Sequence, residues 1–295
     1  MNPSTTRILH ITRNLPPLVG GMERLNWHIA DELSRYAQVQ LIGPSGSAAL
    51  RPSSVPVTEV ALRPLPRFLM ASAWQAVTVA KRFKPHVVLA GSGKAFCAGH
   101  NLKEMSAHPE LAWYQQLFAQ CSRVMLSIQN LPVPVIARVH GMATAAGCQL
   151  VAQCDLAVAS TEASFATSGI NYGLFCSTPS VPLVRNLPMK QAMEMLLTGD
   201  FIDAQTAQAQ GLVNRVVAAP SLDVELDKLV TAILQKPQTA VRMGKAMLYR
   251  QREMGLEAAY QFAGQTMALN MMDADAQEGA QAFAEKRLPA WRDPS

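Results

Sequence analysis

Two segments restrict the possible folds of this chain more than anything else in it. GKAFCAGHNLKEM (residues 93–105) and HGMATAAGCQL (residues 140–150) each follow a short β-prone run, VVLA at 87–90 and VIARV at 135–139. Each then passes through small residues into a helix-forming stretch. Glycine and alanine let a ligand or a second backbone approach closely, and a helix start leaves its first N–H groups without intrahelical partners. Two such N–H groups converging on one carbonyl oxygen make an oxyanion hole. One turn of this kind is weak evidence, since small residues often only permit tight packing. The pair with these flanks is a strong signal.

The remaining pattern is α/β. Short runs at 7–12, 39–42 and 57–62 read as strands, and helices are expected over 22–33 and 68–83. Beyond them, residues 109–131 place Leu111, Tyr114, Leu117, Phe118, Cys121, Val124, Met125 and Ile128 on one helical face. A helix is expected at 146–153 and a strand at 156–159. Further helices are expected near 189–198, 203–210, 221–235, 238–252, 255–271 and 275–286. With 295 residues, 49% hydrophobic and 16% charged, the chain can build a sizeable core. No apolar run reaches the roughly 20 residues that span a bilayer. Cys97, Cys121, Cys148, Cys154 and Cys176 form no CxxC pair, so free thiols in a reducing, cytoplasmic setting are expected and a metal site is not. Residues 1–92 carry 10 Lys and Arg against 4 Asp and Glu, and the rest carries 16 against 17. A basic face of that kind suits anionic partners or, more often, water. No nucleic-acid-binding motif is present.

At this point the strings carry a resemblance. KAFCAG (94–99) and GMATAAGCQ (141–149) resemble the two oxyanion-hole segments of the crotonase (enoyl-CoA hydratase) family. CDLAVA (154–159), LTGD (197–200), AQGLVN (209–214) and EKR (285–287) with Trp291 extend the likeness over about two-thirds of the chain. The resemblance implies a crotonase-like spiral of ββα units with C-terminal helices. It also implies an acyl-CoA thioester partner, no cofactor beyond the coenzyme A of the substrate, and a homotrimer or hexamer. The backbone N–H groups of Cys97 and Ala146 would polarise the thioester carbonyl. Lys94, Ala95, Phe96, Ala98, Gly99, His100, Asn101, Leu102, Gly141, Ala145, Gly147, Tyr172 and Ser177 would line the substrate, and Lys286 would approach its nucleotide.

The departures matter as much. The family's hydratases position and activate water with two glutamates, and those places hold Gln149 and Gly169. Glutamine transfers no proton and glycine has no side chain, so ordinary hydration is expected to be negligible. Restoring both carboxylates is expected to raise it. SFAT (164–167) and GLFCSTP (173–179) resemble one branch of the family, enoyl-CoA hydratase domain-containing protein 3 and its bacterial relatives. Candidate replacement groups are His100, Cys148, Tyr172, Cys176 and Ser177. A catalytically silent CoA-ester-binding protein is the alternative.

Residues 1–91 resemble something else. ILHITR (8–13), PPLVGGMER (16–24) and KPHVVLAG (84–91) are similar to the start of a GT-B family 4 glycosyltransferase, which implies a Rossmann-like βαβ segment. The expected division is therefore 1–91 and a crotonase-type domain at 92–295, joined as a hybrid chain. Nothing after Gly91 continues the glycosyltransferase pattern, so a glycosyltransferase fragment is the third reading.

Overall fold

The computed structural model describes residues 7–11, 38–44, 57–60, 87–91 and 93–291. The expected helices at 22–33 and 68–83 lie outside them. Strands β1 (Arg7–Ile11), β2 (Gln38–Pro44) and β3 (Val57–Val60) form a parallel three-stranded sheet in the order β1-β2-β3. The three N-terminal runs therefore form strands, as their β-prone composition implies.

Two further sheets make the body. The first is parallel throughout, in the order β11-β8-β6-β4. It contains β4 (Val87–Ala90), β6 (Val135–Val139), β8 (Leu156–Ser160) and β11 (Arg215–Val217). Its central strands are almost wholly buried, which is why VIARV and LAVAS are near-continuous apolar runs rather than alternating ones. The second sheet, in the order β10-β9-β7-β5, contains β5 (Ala95–Cys97), β7 (Met142–Thr144), β9 (Ser164–Ala166) and β10 (Ile202–Asp203). Here β5, β7 and β9 pair in parallel and β10 closes the edge antiparallel.

The repeating path is visible in the order of elements. One strand of the first sheet feeds a short strand of the second, and a helix returns the chain. Thus β4 and β5 lead to α1 (Leu102–Ala107) and α2 (Leu111–Asn130), and β6 and β7 lead to α3 (Ala146–Gln153). After β8 and β9 come α4 (Ser177–Leu183), α5 (Met189–Thr198) and α6 (Ala204–Gln210). The chain ends in α7 (Leu222–Leu234), α8 (Gln238–Gln251), α9 (Leu256–Met271) and α10 (Ala274–Ala284). The main core lies between the sheets and α3 to α6, and includes Val139, Cys148, Phe165, Leu183 and Leu196. On the other face of the first sheet, Leu222 and Leu226 of α7 cover Ile136 and Val158.

Most expected helices stand within a residue or two of their places. Leu111 is a correction: it is 73% exposed at the start of α2, and the buried stripe begins later and ends on Met125 and Ile128. The sequence reading also missed α4. Its Pro179 sits in the first turn, where a missing N–H costs nothing, and only Pro182 falls inside the helix.

One polar cluster fastens the C-terminal helices to the sheet. Lys245 of α8 donates to the carbonyls of Ile128 and Val133 at 3.0 and 2.9 Å and to Asp155 Oδ2 at 2.6 Å. Asp155 also accepts from the Val135 amide at 2.7 Å and the Tyr249 hydroxyl at 2.8 Å. Asp155 thus ties the start of β6, the turn before β8 and helix α8 together. Burial lowers the pKa of Lys245 against the opposing pull of Asp155, and raises that of Tyr249.

Candidate active site

The two small-residue segments come together because β5 and β7 are neighbouring parallel strands, with Ala95 opposite Met142 and Cys97 opposite Ala143. Both therefore run into their turns at the same end of the sheet. Gly99 has φ +90°, and a Cβ there would sit 3.0 Å from Ala145 Cβ and 3.3 Å from the Ala146 nitrogen. A Cβ on Gly147 would lie 2.0 Å from the Cys97 carbonyl oxygen. Glycine is the only residue that lets the two turns pack this closely.

Ala145 closes the second turn with φ 51°, ψ −119°, a region that alanine rarely adopts. Its amide is held by the Ala166 carbonyl of β9 at 3.0 Å. Strain of this kind costs on the order of 1–3 kcal/mol and persists only where the surroundings enforce it. The result here is that α3 begins at Ala146 on the cavity wall, with its first N–H groups lacking intrahelical partners.

The cavity has a volume of about 280 Å³. Nine of the expected site residues line it: Ala98, His100, Leu102, Ala145, Ala146, Gly169, Tyr172, Cys176 and Ser177. Sequence reasoning missed the apolar wall of Met105, Phe118, Leu174 and Phe175, together with Ser168, Thr178 and Pro179. Phe118 could have been found as a member of the α2 stripe. The others come from α1 and from the loop before α4, whose placement has no periodic signal.

The remaining expected residues lie outside the cavity lining. Phe96 is buried in the core, while Ala95 and Cys97 belong to β5. Gly141 passes close to the Lys94 carbonyl, and Asn101 accepts from the Lys103 amide at 3.2 Å as the N-cap of α1. Lys94 and Lys286 are exposed, the latter with φ 56° beyond the end of α10.

The two positions of altered carboxylates differ. Gln149 is 3% exposed, lies outside the cavity lining and accepts from Cys121 Sγ at 3.7 Å. Gly169 does line the cavity, but the space beside it is occupied. A Cβ there would meet the Leu174 carbonyl oxygen at 2.6 Å and Cys176 Sγ at 2.8 Å. The Leu174 amide in turn donates to the Gly169 carbonyl at 3.0 Å, which fixes the loop. A side chain at position 169 therefore requires the Leu174 loop to move, which opposes the gain expected from restoring both carboxylates.

No carboxylate is found among the lining residues, and no cluster of metal-binding side chains occurs among the described residues. Burial pushes the Cys148 thiol up to about 12 and also raises that of Cys176, whose sulfur accepts from the Gly169 amide. Neither is a thiolate at neutral pH. Burial alone moves His100 the other way and favours its neutral imidazole.

Residues 70–294 match the family model described as enoyl-CoA hydratase/isomerase. The chain belongs to the enoyl-CoA hydratase/isomerase family. Among solved structures of the family, an enoyl-CoA hydratase from Mycobacterium smegmatis is 59% identical with a TM-score of 0.74, over 76% of this chain and 88% of that one. Human enoyl-CoA hydratase domain-containing protein 3 is 43% identical with a TM-score of 0.71, over 75% and 90%. The rat protein of that name is 46% identical over 205 residues, 70% of this chain and 68% of the relative. The crotonase-type α/β fold is thereby shown, and with it the kinship to that branch.

The same relatives correct one expectation. The rat, frog, mouse and human proteins are named as mitochondrial, against the cytoplasmic location expected here. Free thiols mark any reducing compartment without separating one from another. No helix among the described residues is long and apolar enough to cross a membrane.

Proposed function

We propose that this protein binds an acyl-CoA thioester in the cavity, with the thioester oxygen held by the backbone N–H groups of Cys97 and Ala146. The observation that carries the reading is the contact between the two turns. Gly99 approaches the Ala146 nitrogen and Gly147 the Cys97 carbonyl, at the wall where α3 begins. Preorganised N–H donors stabilise an enolate-like or tetrahedral anion, each being worth about 3–4 kcal/mol in known oxyanion holes. The apolar wall suits an acyl chain, and coenzyme A enters as part of the substrate with no further cofactor. The unit that carries this function takes in strand β4, which pairs with β6, and the residues that match the family model, 70–294. The residues before it are read as a segment of glycosyltransferase type, with no glycosyl transfer assigned to it.

Hydration itself does not belong to this reading, because Gln149 and Gly169 offer no proton-transfer group. Crotonyl-CoA is expected to be hydrated negligibly, and turnover within tenfold of the enzyme median of roughly 10 s⁻¹ would refute this. Butyryl-CoA, which has no double bond to hydrate, is expected to bind by calorimetry while a UDP-sugar gives no heat. With a ¹³C-labelled carbonyl, the bound thioester should show its C=O stretch below the value in water. An unshifted band for a bound ligand would reject the oxyanion hole.

Assembly is the companion expectation. Tyr260, Met267, Leu269 and Met272 of the α9 region and Phe283 of α10 are exposed apolar residues. Large apolar side chains left exposed on neighbouring helices favour association when they gather in one patch. We propose a trimer or a pair of trimers formed through these helices. Light scattering at micromolar concentration is expected to give a multiple of three protomers, and a well-folded monomer would rule the assembly out.

A further inference from the structure

We propose that His100 is the proton-transfer group of this cavity, removing and returning a proton on the carbon next to the thioester carbonyl of a bound acyl-CoA. The inference rests on the acyl-CoA reading above and adds the chemical step. His100 follows Gly99 directly, so the turn that approaches Ala146 also delivers the imidazole to the same cavity wall as Ala98 and Ala146. Its ring meets Phe118 edge-on, with centroids 5.8 Å apart and planes at 82°. Among the described residues neither ring nitrogen of His100 has a hydrogen-bond partner.

The competing groups in the lining are poorer. The Cys176 sulfur is engaged by the Gly169 amide, and its thiol is held protonated by burial. Tyr172 is 74% exposed at the rim. Ser168 and Ser177 are hydroxyls with local partners, Thr144 Oγ1 at 2.7 Å and the Phe175 carbonyl at 3.3 Å. His100 is partly withdrawn from water, which favours the neutral ring needed to accept a proton. In the step, a ring nitrogen takes the proton from the α-carbon. The C–H electron pair becomes the enolate double bond, and the carbonyl π pair moves onto the oxygen facing the Cys97 and Ala146 amides. Return of the proton from the imidazolium restores the thioester, so no oxidant or co-reactant is needed.

The test is hydrogen exchange at the α-carbon. Butyryl-CoA is incubated with the protein in D₂O and deuterium uptake is followed by mass spectrometry, alongside calorimetric binding of the same ligand. The wild-type protein is expected to incorporate deuterium. His100→Gln should bind butyryl-CoA yet exchange about 10²–10⁴-fold more slowly, the usual contribution of general acid–base catalysis. Free imidazole added to His100→Gly should restore exchange, which a purely structural histidine would not allow. Wild-type binding without exchange overturns the proposal and leaves the binding reading intact. Exchange by a folded His100→Gln at the wild-type rate also overturns it. Failure of the wild-type protein to bind butyryl-CoA removes both.

Discussion

Lys245→Met is expected to destabilise the fold by about 3–5 kcal/mol, the cost of breaking a buried ion pair by removing one partner. Methionine keeps the apolar stem, so the change isolates the lost ammonium. Lys245 is only 9% exposed, and three oxygens depend on it: the Ile128 and Val133 carbonyls and Asp155 Oδ2. The variant leaves both carbonyls without their donor and Asp155 with the Val135 amide and Tyr249 hydroxyl alone. Groups buried without partners are what make such losses large. Urea unfolding of Lys245→Met, Asp155→Asn and the double variant measures it. The double variant should lose less than the sum of the two, because both single changes break the same pair. Additive losses, or a single variant as stable as wild type, would show that α8 is not anchored here.

Gly169→Glu combined with Gln149→Glu is expected to fail as a reconstruction of a hydratase. The first change forces a side chain into the Leu174 carbonyl and the Cys176 sulfur. Overpacking of that kind costs about 1–3 kcal/mol. Of the two contacts the sulfur can rotate away, whereas the carbonyl can move only with the loop that Leu174 and Gly169 close by their own hydrogen bond. Gly169→Ala, which adds the Cβ alone, should already lower the melting temperature. Gln149→Glu adds a separate burden, since a carboxylate there replaces a buried amide whose oxygen, among the described residues, accepts from the Cys121 thiol alone. Thermal melts of the four proteins and their crotonyl-CoA turnover check the argument. A double variant that melts at the wild-type temperature and hydrates crotonyl-CoA at an ordinary rate would show that the cavity tolerates the water-activating pair.

These two cases also separate what was legible in the chain from what was not. Local patterning was sufficient for the central strands, because VIARV and LAVAS are near-continuous apolar runs of strand length, as buried parallel strands are. It was sufficient for most helices, whose 3.6-residue periodicity survives without knowledge of their partners. It also marked the two turns that meet beside the cavity, since a strand followed by a small-residue turn and a helix is a local object, and two of them sharing one sheet meet at the same end. The absence of both glutamates could be read directly at Gln149 and Gly169. Location within the cell could not, because composition reports a reducing environment and nothing narrower.

Tertiary structure decided the rest. That Gly99 touches the Ala146 backbone, and Gly147 the Cys97 carbonyl, depends on two segments about 45 residues apart in sequence occupying adjacent strands. That Lys245 is a buried clamp rather than a solvated cation follows from oxygens contributed by two distant segments, residues 128–133 and Asp155, and helical periodicity contains no trace of them. The sequence by itself determined which positions lack a carboxylate. Only the packing of Leu174 and Cys176 beside Gly169 determined that one of those positions no longer has space for it, because steric room belongs to neighbours in space and not to the residue itself.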